Sequence, residues 1–504
     1  MEYITASALY NYTQCPHRVW RDKHGTQEEK NPEPNPFVQL LWDKGAQHEK
    51  NVIATFGEFI DLSAGTLQER FEKTLSEMKK GTELIFQGVL ISENLLGIPD
   101  LLKRKSDGMY MPLDIKSGRG YEGSEEEDDQ KYKKHYAIQL CHYVEILKKL
   151  GFANLDKGLI IDIHRKEIVY DFTQEISVRN KNTWWVYYFE TRNEVQYLLE
   201  NKTQNKPALS GICKLCPWYK SCKKWVEDSD DLTALFSLGR SRRDKINEDL
   251  GIEKVVDIIG INLPNIFEKK LLDKNFLYGI GEKTIQKVVR RALMLHTKAS
   301  PVIYKRFDFP QKTYELFFDI EDDPTQELVY LHGVYERVGN KERFVPFVAE
   351  NNSPDAEEKA WSEFWAYIRS LPKDDYAVYY YAPHEKTTYR KMRETYPNVV
   401  TDEELDNFFD PTKAVDLYTH LISKSTDWPL GSYSLKAIAQ YLGFKWRDKS
   451  PSGAESIQWY NHYLQTNDKK DLNRILEYNE DDCKATMIIK DYLENLQKKG
   501  LSNE

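Results

Sequence analysis

The sequence predicts an α/β chain in three parts, residues 1–228, 229–302 and 303–504, and three observations lead there. A length of 504 residues exceeds what one ordinary hydrophobic core organises. Strand and helix signals mix in the first part and alternate in the third, while the second is helical in pattern with few strand signals. A hydrophobic fraction of 40%, with 13% aromatic residues, is enough for packed cores.

Composition narrows the class further. No apolar run approaches the roughly 18–20 residues of a membrane helix. The first residues lack the basic-then-apolar pattern of a secretory signal, so a cytoplasmic protein without membrane contact is expected. The net charge of −9 provides no global attraction for phosphate. Local basic patches and bound cations still allow nucleic acid as a partner, so charge excludes neither class. Six cysteines, Cys15, Cys141, Cys213, Cys216, Cys222 and Cys483, point to metal rather than disulfides in such a chain. No GxxxxGK[ST] occurs, so an ATP-driven motor is not encoded in this sequence.

In the first part, Leu84–Leu90 and Gly108–Ile115 read as strands, with a turn at Ser106-Asp107-Gly108. Tyr132–Lys149 reads as a helix, because Tyr136, Leu140, Tyr143 and Leu147 recur at helical spacing. Asp100 ends Gly97-Ile98-Pro99-Asp100, and Asp114-Ile115-Lys116 follows. Two carboxylates on neighbouring strands can hold one divalent cation. A lysine two positions past the second shares its sheet face, where it can orient or help deprotonate an attacking water and offset transition-state charge. A D-x-K triplet alone is weak in a chain with 30% charged residues. It gains weight from His48, an imidazole on an upstream helix, and from Gln139 and Tyr143, one turn apart on a downstream one.

The order His48, Asp100, Asp114-x-Lys116, Gln139-x-x-x-Tyr143 resembles the RecB family of PD-(D/E)xK nucleases. That resemblance implies a restriction-endonuclease-like fold for residues 1–228, a metal ion held by His48, Asp100 and Asp114, and catalytic roles for Asp100, Asp114, Lys116, Gln139 and Tyr143. Cys15 precedes these motifs, and Cys213, Cys216 and Cys222 follow them. The arrangement is similar to the iron–sulfur members of that family, including the CRISPR-associated exonucleases, and implies a 4Fe-4S cluster clasping the domain. A four-cysteine zinc site is the alternative, although zinc sites more often pair two compact C-x-x-C units. Cys141 and Cys483 have no assigned partner and read as buried thiols.

The second part contains SLGRSRRDKINEDLGI and YGIGEKTIQKVVRRAL, each with a glycine turn opening a helix. Both resemble half of a helix-hairpin-helix, whose amides hold a DNA phosphate. Arg240, Arg242, Arg243, Lys283, Lys287, Arg290 and Arg291 add positive charge. The simpler reading is a connector whose glycines only cap its helices.

In the third part, Tyr314–Ile320, Val329–Tyr335, Phe344–Ala349 and Ala377–Tyr381 read as strands, and Asp355–Ser370 and Tyr433–Leu442 as helices. Three strands in succession and then alternation predict a mixed sheet. Asp319 and Glu321 end the first strand on one face. Together with Tyr478-x-x-x-Asp482 they resemble the first and last motifs of RNase H-like exonucleases of the DEDD type, which work from 3′ ends and in which four acids bind two metal ions. The resemblance implies that Tyr478 places water and Asp482 binds metal. It also puts Glu385 where the second motif usually has Asp. Asp416 is a candidate additional acid, and Asp481 competes with Asp482. An RNase H-like fold that has lost catalysis and serves as a scaffold is the alternative.

The joint arrangement resembles a group of bacterial and archaeal RecB-like nucleases. It implies a Mg2+- or Mn2+-dependent enzyme that hydrolyses DNA phosphodiester bonds, on single strands or ends, in repair, recombination or defence. A helicase or a repair or defence complex is the partner class it suggests. Iron–sulfur relatives often work from 5′ ends, so polarity stays open. Two further readings stay open as well. Only one site is active, with RNA as an alternative substrate, or the chain is a DNA-binding or assembly factor with a structural cluster.

Overall fold

The computed structural model describes residues 2–33, 35–122, 131–178, 180–449 and 452–500. It divides into two compact units, Met1–Lys223 and Lys224–Glu504. No helix among the described residues is long and apolar enough to cross a membrane.

The first unit is organised by a six-stranded sheet of β1 (Ile60–Asp61), β2 (Leu84–Phe86), β3 (Leu101–Arg104), β4 (Tyr110–Ile115), β5 (Lys157–Ile161) and β6 (Glu167–Asp171), in the order β6-β5-β4-β3-β2-β1. Alternation sorts the side chains. Leu84, Leu101, Leu113, Ile115, Leu159 and Ile161 pack with Val52 and Ile53 of α1 (Pro36–Ile53). Ile85, Leu102, Ile160 and Ile168 face the opposite way, onto α2 (Lys134–Lys149), which is buried nearly all round. Asp114, between Leu113 and Ile115, therefore points to the α2 face. The expected strand 84–90 is broken, because Gln87 takes a left-handed conformation (φ 53°) and the chain restarts as Leu90–Ser92. The turn before β4 is present, with Gly108 at φ 81° and the Met109 amide on Asp107 Oδ1 at 3.0 Å. Helix α2 begins later than its periodicity suggests, because Lys131–Tyr132 pairs with Tyr121–Glu122 as a short antiparallel ladder.

The second unit opens with a helical body, α3 (Arg240–Leu250), α4 (Leu263–Leu272) and α5 (Glu282–Thr297), packed on Ile246, Ile258, Ile266, Ile285 and Val288. Gly239 and Gly281 stand at the N-caps of α3 and α5 in extended conformation. One carboxylate ties this body to the rest of the unit. The fully buried Asp427 accepts from Arg290 Nε and Arg291 Nε at 2.6 Å each and from the Tyr304 hydroxyl at 2.8 Å. Beside it, Phe236 and Tyr433 stack with centroids 3.8 Å apart.

The remainder is a five-stranded mixed sheet of β7 (Tyr314–Asp323), β8 (Leu328–Val338), β9 (Lys341–Val348), β10 (Tyr376–Tyr380) and β11 (Ala414–Asp416), in the order β9-β8-β7-β10-β11. β7, β8 and β9 are antiparallel neighbours; β10 runs parallel to β7, and β11 parallel to β10. Leu316, Phe318 and Ile320 face a core with Trp361, Phe364 and Trp365 of α6 (Pro354–Ser370) and Tyr389 of α7 (His384–Thr395). The alternate residues Asp319 and Glu321 face the other way, towards α10 (Lys469–Gly500). Two helices precede α10, namely α8 (Leu435–Tyr441) and α9 (Gly453–Thr466). Close approach of α10 depends on Gly333, which pairs with Asp319 in the ladder; a Cβ there would lie 1.6 Å from Asn479 Oδ1.

Candidate active sites

In the first unit, Asp114 is 2% exposed and Lys116 Nζ stands 2.8 Å from its Oδ2. The same ammonium donates to Gln139 Oε1 at 3.2 Å. Asp100 accepts from the Ile115 amide at 2.7 Å, and its own amide reaches Asp114 Oδ1 at 3.4 Å, so β4 holds the two acids side by side. Burial, reinforced by the Asp114 charge, pushes the Asp100 carboxyl up to about 8, while Lys116 opposes the rise. Tyr143 lies against Gly97, where an added Cβ would be 2.6 Å from its ring, and its hydroxyl feels both acids. His48 stands apart from this group, with Nε2 3.2 Å from the Asp162 carbonyl oxygen. Its neighbour Glu49 is drawn in instead. The Gln87 amide donates to Glu49 Oε1 and Asp100 Oδ1, each at 3.2 Å, and burial raises the Glu49 carboxyl with Asp114 adding to the effect. Among the described residues, neither His48 nor Glu49 gathers with Asp100 and Asp114 so that all ligand atoms lie within 4.8 Å of one another.

The cysteines converge from both ends of this unit. Burial pushes the Cys222 thiol up to about 12; Arg21 opposes this, and Cys216, Cys15 and Cys213 add to it. The Cys216 thiol is raised by burial and feels Cys15 and Cys213 in turn. The Ser210 amide donates to Cys213 Sγ at 3.4 Å. No three of the four sulfurs lie within 4.8 Å of one another among the described residues. Cys141 and Cys483 are fully buried elsewhere.

In the second unit the acids meet. Asp319, Glu321 and Asp482 bring one carboxylate oxygen each within 4.8 Å of the others. Asn479 Nδ2 donates to Asp319 Oδ2 at 2.8 Å and to Glu321 Oε1 at 3.4 Å. Trp446 Nε1 donates to Asp482 Oδ1 at 2.6 Å. Lys436 Nζ, on α8, donates to the Tyr478 hydroxyl at 3.1 Å. Burial raises all three acids: Glu321 to about 8 and Asp319 well above the usual range, with Asp482 the main repelling charge on both, and Asp482 upward, while Lys436 opposes the rise in each.

The other acids are placed as well. Asp481 turns away to Arg447, accepting from its amide at 2.8 Å and its Nε at 3.0 Å. Asp416 accepts from the Thr419 amide at 2.7 Å and the Ala382 amide at 3.1 Å, the work of a cap. Glu385, in the first turn of α7, is buried and close enough for Asp319 to feel its charge. It lies outside the three-acid cluster, and its Oε2 has no hydrogen-bond partner. Of the seven basic residues singled out in the second part of the sequence, Arg290 and Arg291 are engaged by Asp427, and Arg243 pairs with Asp231 at 3.0 Å. These three hold the fold.

Buried carboxylates held together, their charge offset only in part by Lys436, form a donor set suited to a hard divalent ion. Residues 316–494 match a family described as the RNase_H superfamily. This part of the chain is RNase H-like. An RNase H-like domain suggests a nuclease-type hydrolase, and the matched span contains the whole acid cluster. Among curated proteins, none matches the chain.

Sequence reasoning missed five residues of these sites: Glu49, Gln87, Lys436, Trp446 and Asn479. Asn479 lies inside the Tyr478–Asp482 motif, one residue past the tyrosine, and Glu49 lies next to His48. A signal was present for those two. Lys436 and Trp446 reach the acids from segments whose relation to α10 only the fold establishes.

Proposed function

We propose that the chain is a divalent-metal-dependent nuclease that hydrolyses phosphodiester bonds at the acid cluster of its RNase H-like part. The meeting of Asp319, Glu321 and Asp482 within 4.8 Å carries this reading. Mg2+ or Mn2+ held by these oxygens supplies activation of water and stabilisation of the departing oxygen. Asn479 orients Asp319 and Glu321, Trp446 fixes Asp482, and Lys436 fixes the Tyr478 hydroxyl beside the reacting groups. Glu385 is the proposed fourth acid, its open Oε2 available for a second ion. The proposed substrate is DNA, as single strands or ends. Purified protein with Mn2+ and end-labelled DNA and RNA strands tests this. Wild type should release short products from DNA and Asp319→Asn far fewer, and equal cleavage by both would end the reading.

A second hydrolytic centre at Asp100, Asp114 and Lys116 is favoured by the 2.8 Å contact that aims the lysine at the buried acid and by Gln139 holding the same ammonium. Glu49 joins His48 as a proposed ligand there, because it and not the imidazole shares Gln87 with Asp100. Activity that survives Asp319→Asn and disappears with Lys116→Ala would establish it.

The four converging cysteines are proposed to hold a 4Fe-4S cluster. The resemblance to iron–sulfur nucleases supports this choice, and zinc sites more often pair two compact C-x-x-C units than take one ligand from far along the chain. Anaerobic purification followed by a visible spectrum and metal analysis decides: about four irons per chain, against one zinc in the alternative.

A further inference from the structure

Of the acids proposed as ligands in the second unit, Glu385 alone lies outside the three-acid cluster among the described residues. It is 3% exposed, and its Oε2 has no hydrogen-bond partner. Burial, joined by the Asp416 and Asp322 charges, raises its carboxyl well above the usual range. A buried acid without a partner is unfavourable where it stands, so the surrounding chain has to enforce its position.

Three features do so. Ala382, between β10 and α7, has φ 98°, a left-handed conformation that residues with a Cβ rarely adopt. Such strain persists only where neighbouring contacts over-determine it. Asp416, at the end of β11, supplies one of them. Its Oδ1 accepts from the Ala382 amide at 3.1 Å while capping its own segment through the Thr419 amide at 2.7 Å. Tyr380 pairs with Asp416 in the ladder, so this carboxylate is fixed two residues from the strained one. The third feature comes from β7, whose ladder with β8 shifts register between Glu321 and Asp322. A bulge of this kind re-aims side chains beside a site. Glu321 belongs to the acid cluster, and Asp322 Oδ1 accepts from His384 Nε2 at 3.0 Å. The residue after one proposed ligand is thereby bonded to the residue before another.

We propose that Asp416, His384 and Asp322 are positioning residues, which hold the strained β10–α7 junction so that the Glu385 carboxylate can take a second divalent ion in addition to the one bound by Asp319, Glu321 and Asp482. This rests on the proposed nuclease reading and adds that the two ions are held unequally. The cluster stands ready for one, and the other binds only while the junction is held.

Mn2+ titration of the full chain, read by calorimetry without substrate, tests this in an Asp114→Asn background that keeps the first unit's acids out of the count. Asp319→Asn identifies the ion held by the cluster, and Glu385→Gln the ion that depends on the junction. His384→Ala should weaken the Glu385-dependent ion about 10–100-fold and leave the other unchanged. Asp322→Ala should do the same, and the double variant should lose no more than either, because a single bond is broken in each case. His384→Gln keeps a donor for Asp322 and should recover most of the loss. Unchanged affinity for the Glu385-dependent ion in both alanine variants overturns the proposal. An equal weakening of both ions together with a lower Tm also overturns it, since the pair would then only support the fold. If Glu385→Gln weakens no ion while Asp319→Asn does, the junction positions no ligand and the three-acid nuclease reading stands without it. If Asp319→Asn weakens none either, that reading falls as well.

Discussion

The two acid groups of this molecule start from the same local device, carboxylates at or beside strand ends that alternation turns to one face, and they balance charge in opposite ways. In the first unit the sheet supplies its own cation, Lys116 at 2.8 Å from Asp114, and the Gln87 amide bridges Glu49 and Asp100. In the second, Asp319, Glu321 and Asp482 face one another, and the nearby ammonium of Lys436 is bonded to the Tyr478 hydroxyl. The difference is one of contact: in the first group the ammonium bonds a carboxylate directly, while in the second the Lys436 charge lowers the three acids but its ammonium bonds the tyrosine, and burial still holds the acids raised. A metal ion entering the first must compete with a lysine; one entering the second relieves repulsion.

The largest expected effect tests the side of this comparison that depends on an added ion. Asp319→Asn removes a ligand from the three-acid cluster and should lower cleavage there by about a thousandfold, measured with end-labelled strands in excess Mn2+. Next, Lys116→Ala in the Asp319→Asn background should lower the residual cleavage about a hundredfold. Residual cleavage that ignores Lys116 would make the first group structural. Third, Asn479→Ala should weaken Mn2+ binding by about 10–100-fold without abolishing it, read by titration calorimetry. Undiminished affinity would mean the carboxylates orient themselves.

The smallest effect concerns pH. Asp100 and Glu321 ordinarily titrate at 3.8 and 4.5, and burial lifts each to about 8 in the folded chain. Between those values the folded state binds more protons than the unfolded, so the stability of the metal-free protein falls as pH rises from about 4.5 to about 8. Thermal melts across that range should show a declining Tm, and Mn2+ added near the upper end should recover part of it. A Tm that climbs with pH would mean that these acids are already ionised when folded.

Much of the fold was legible because alternation and helical spacing are local. The strands over 314–320 and 329–335 appear where apolar residues alternate, each extended by a few residues. Helix 355–370 appears one residue longer at its start, with Pro354 in its first turn. The D-x-E pair was legible for the same reason, since two residues on one strand share a face whatever surrounds them. What the sequence concealed is what tertiary approach decides. Nothing in SLKAIAQYL says that Lys436 will reach Tyr478. The left-handed turn at Gln87, which divides an expected strand, places its amide between two acids because the turn comes just there. At His48 and Glu49 the residue types pointed to the imidazole, and one step around α1 brings the carboxylate to Gln87.

Asp427 has a consequence for mechanics. Three donors from two helical-body arginines and one tyrosine converge on a single carboxylate with no exposure to water, and severing a pair of that kind leaves a charge stranded in a dry interior. The helical body and the mixed sheet are thus riveted where a soft linker would allow swivel. A force applied to the helices would pass to the sheet as to the frame of one tool.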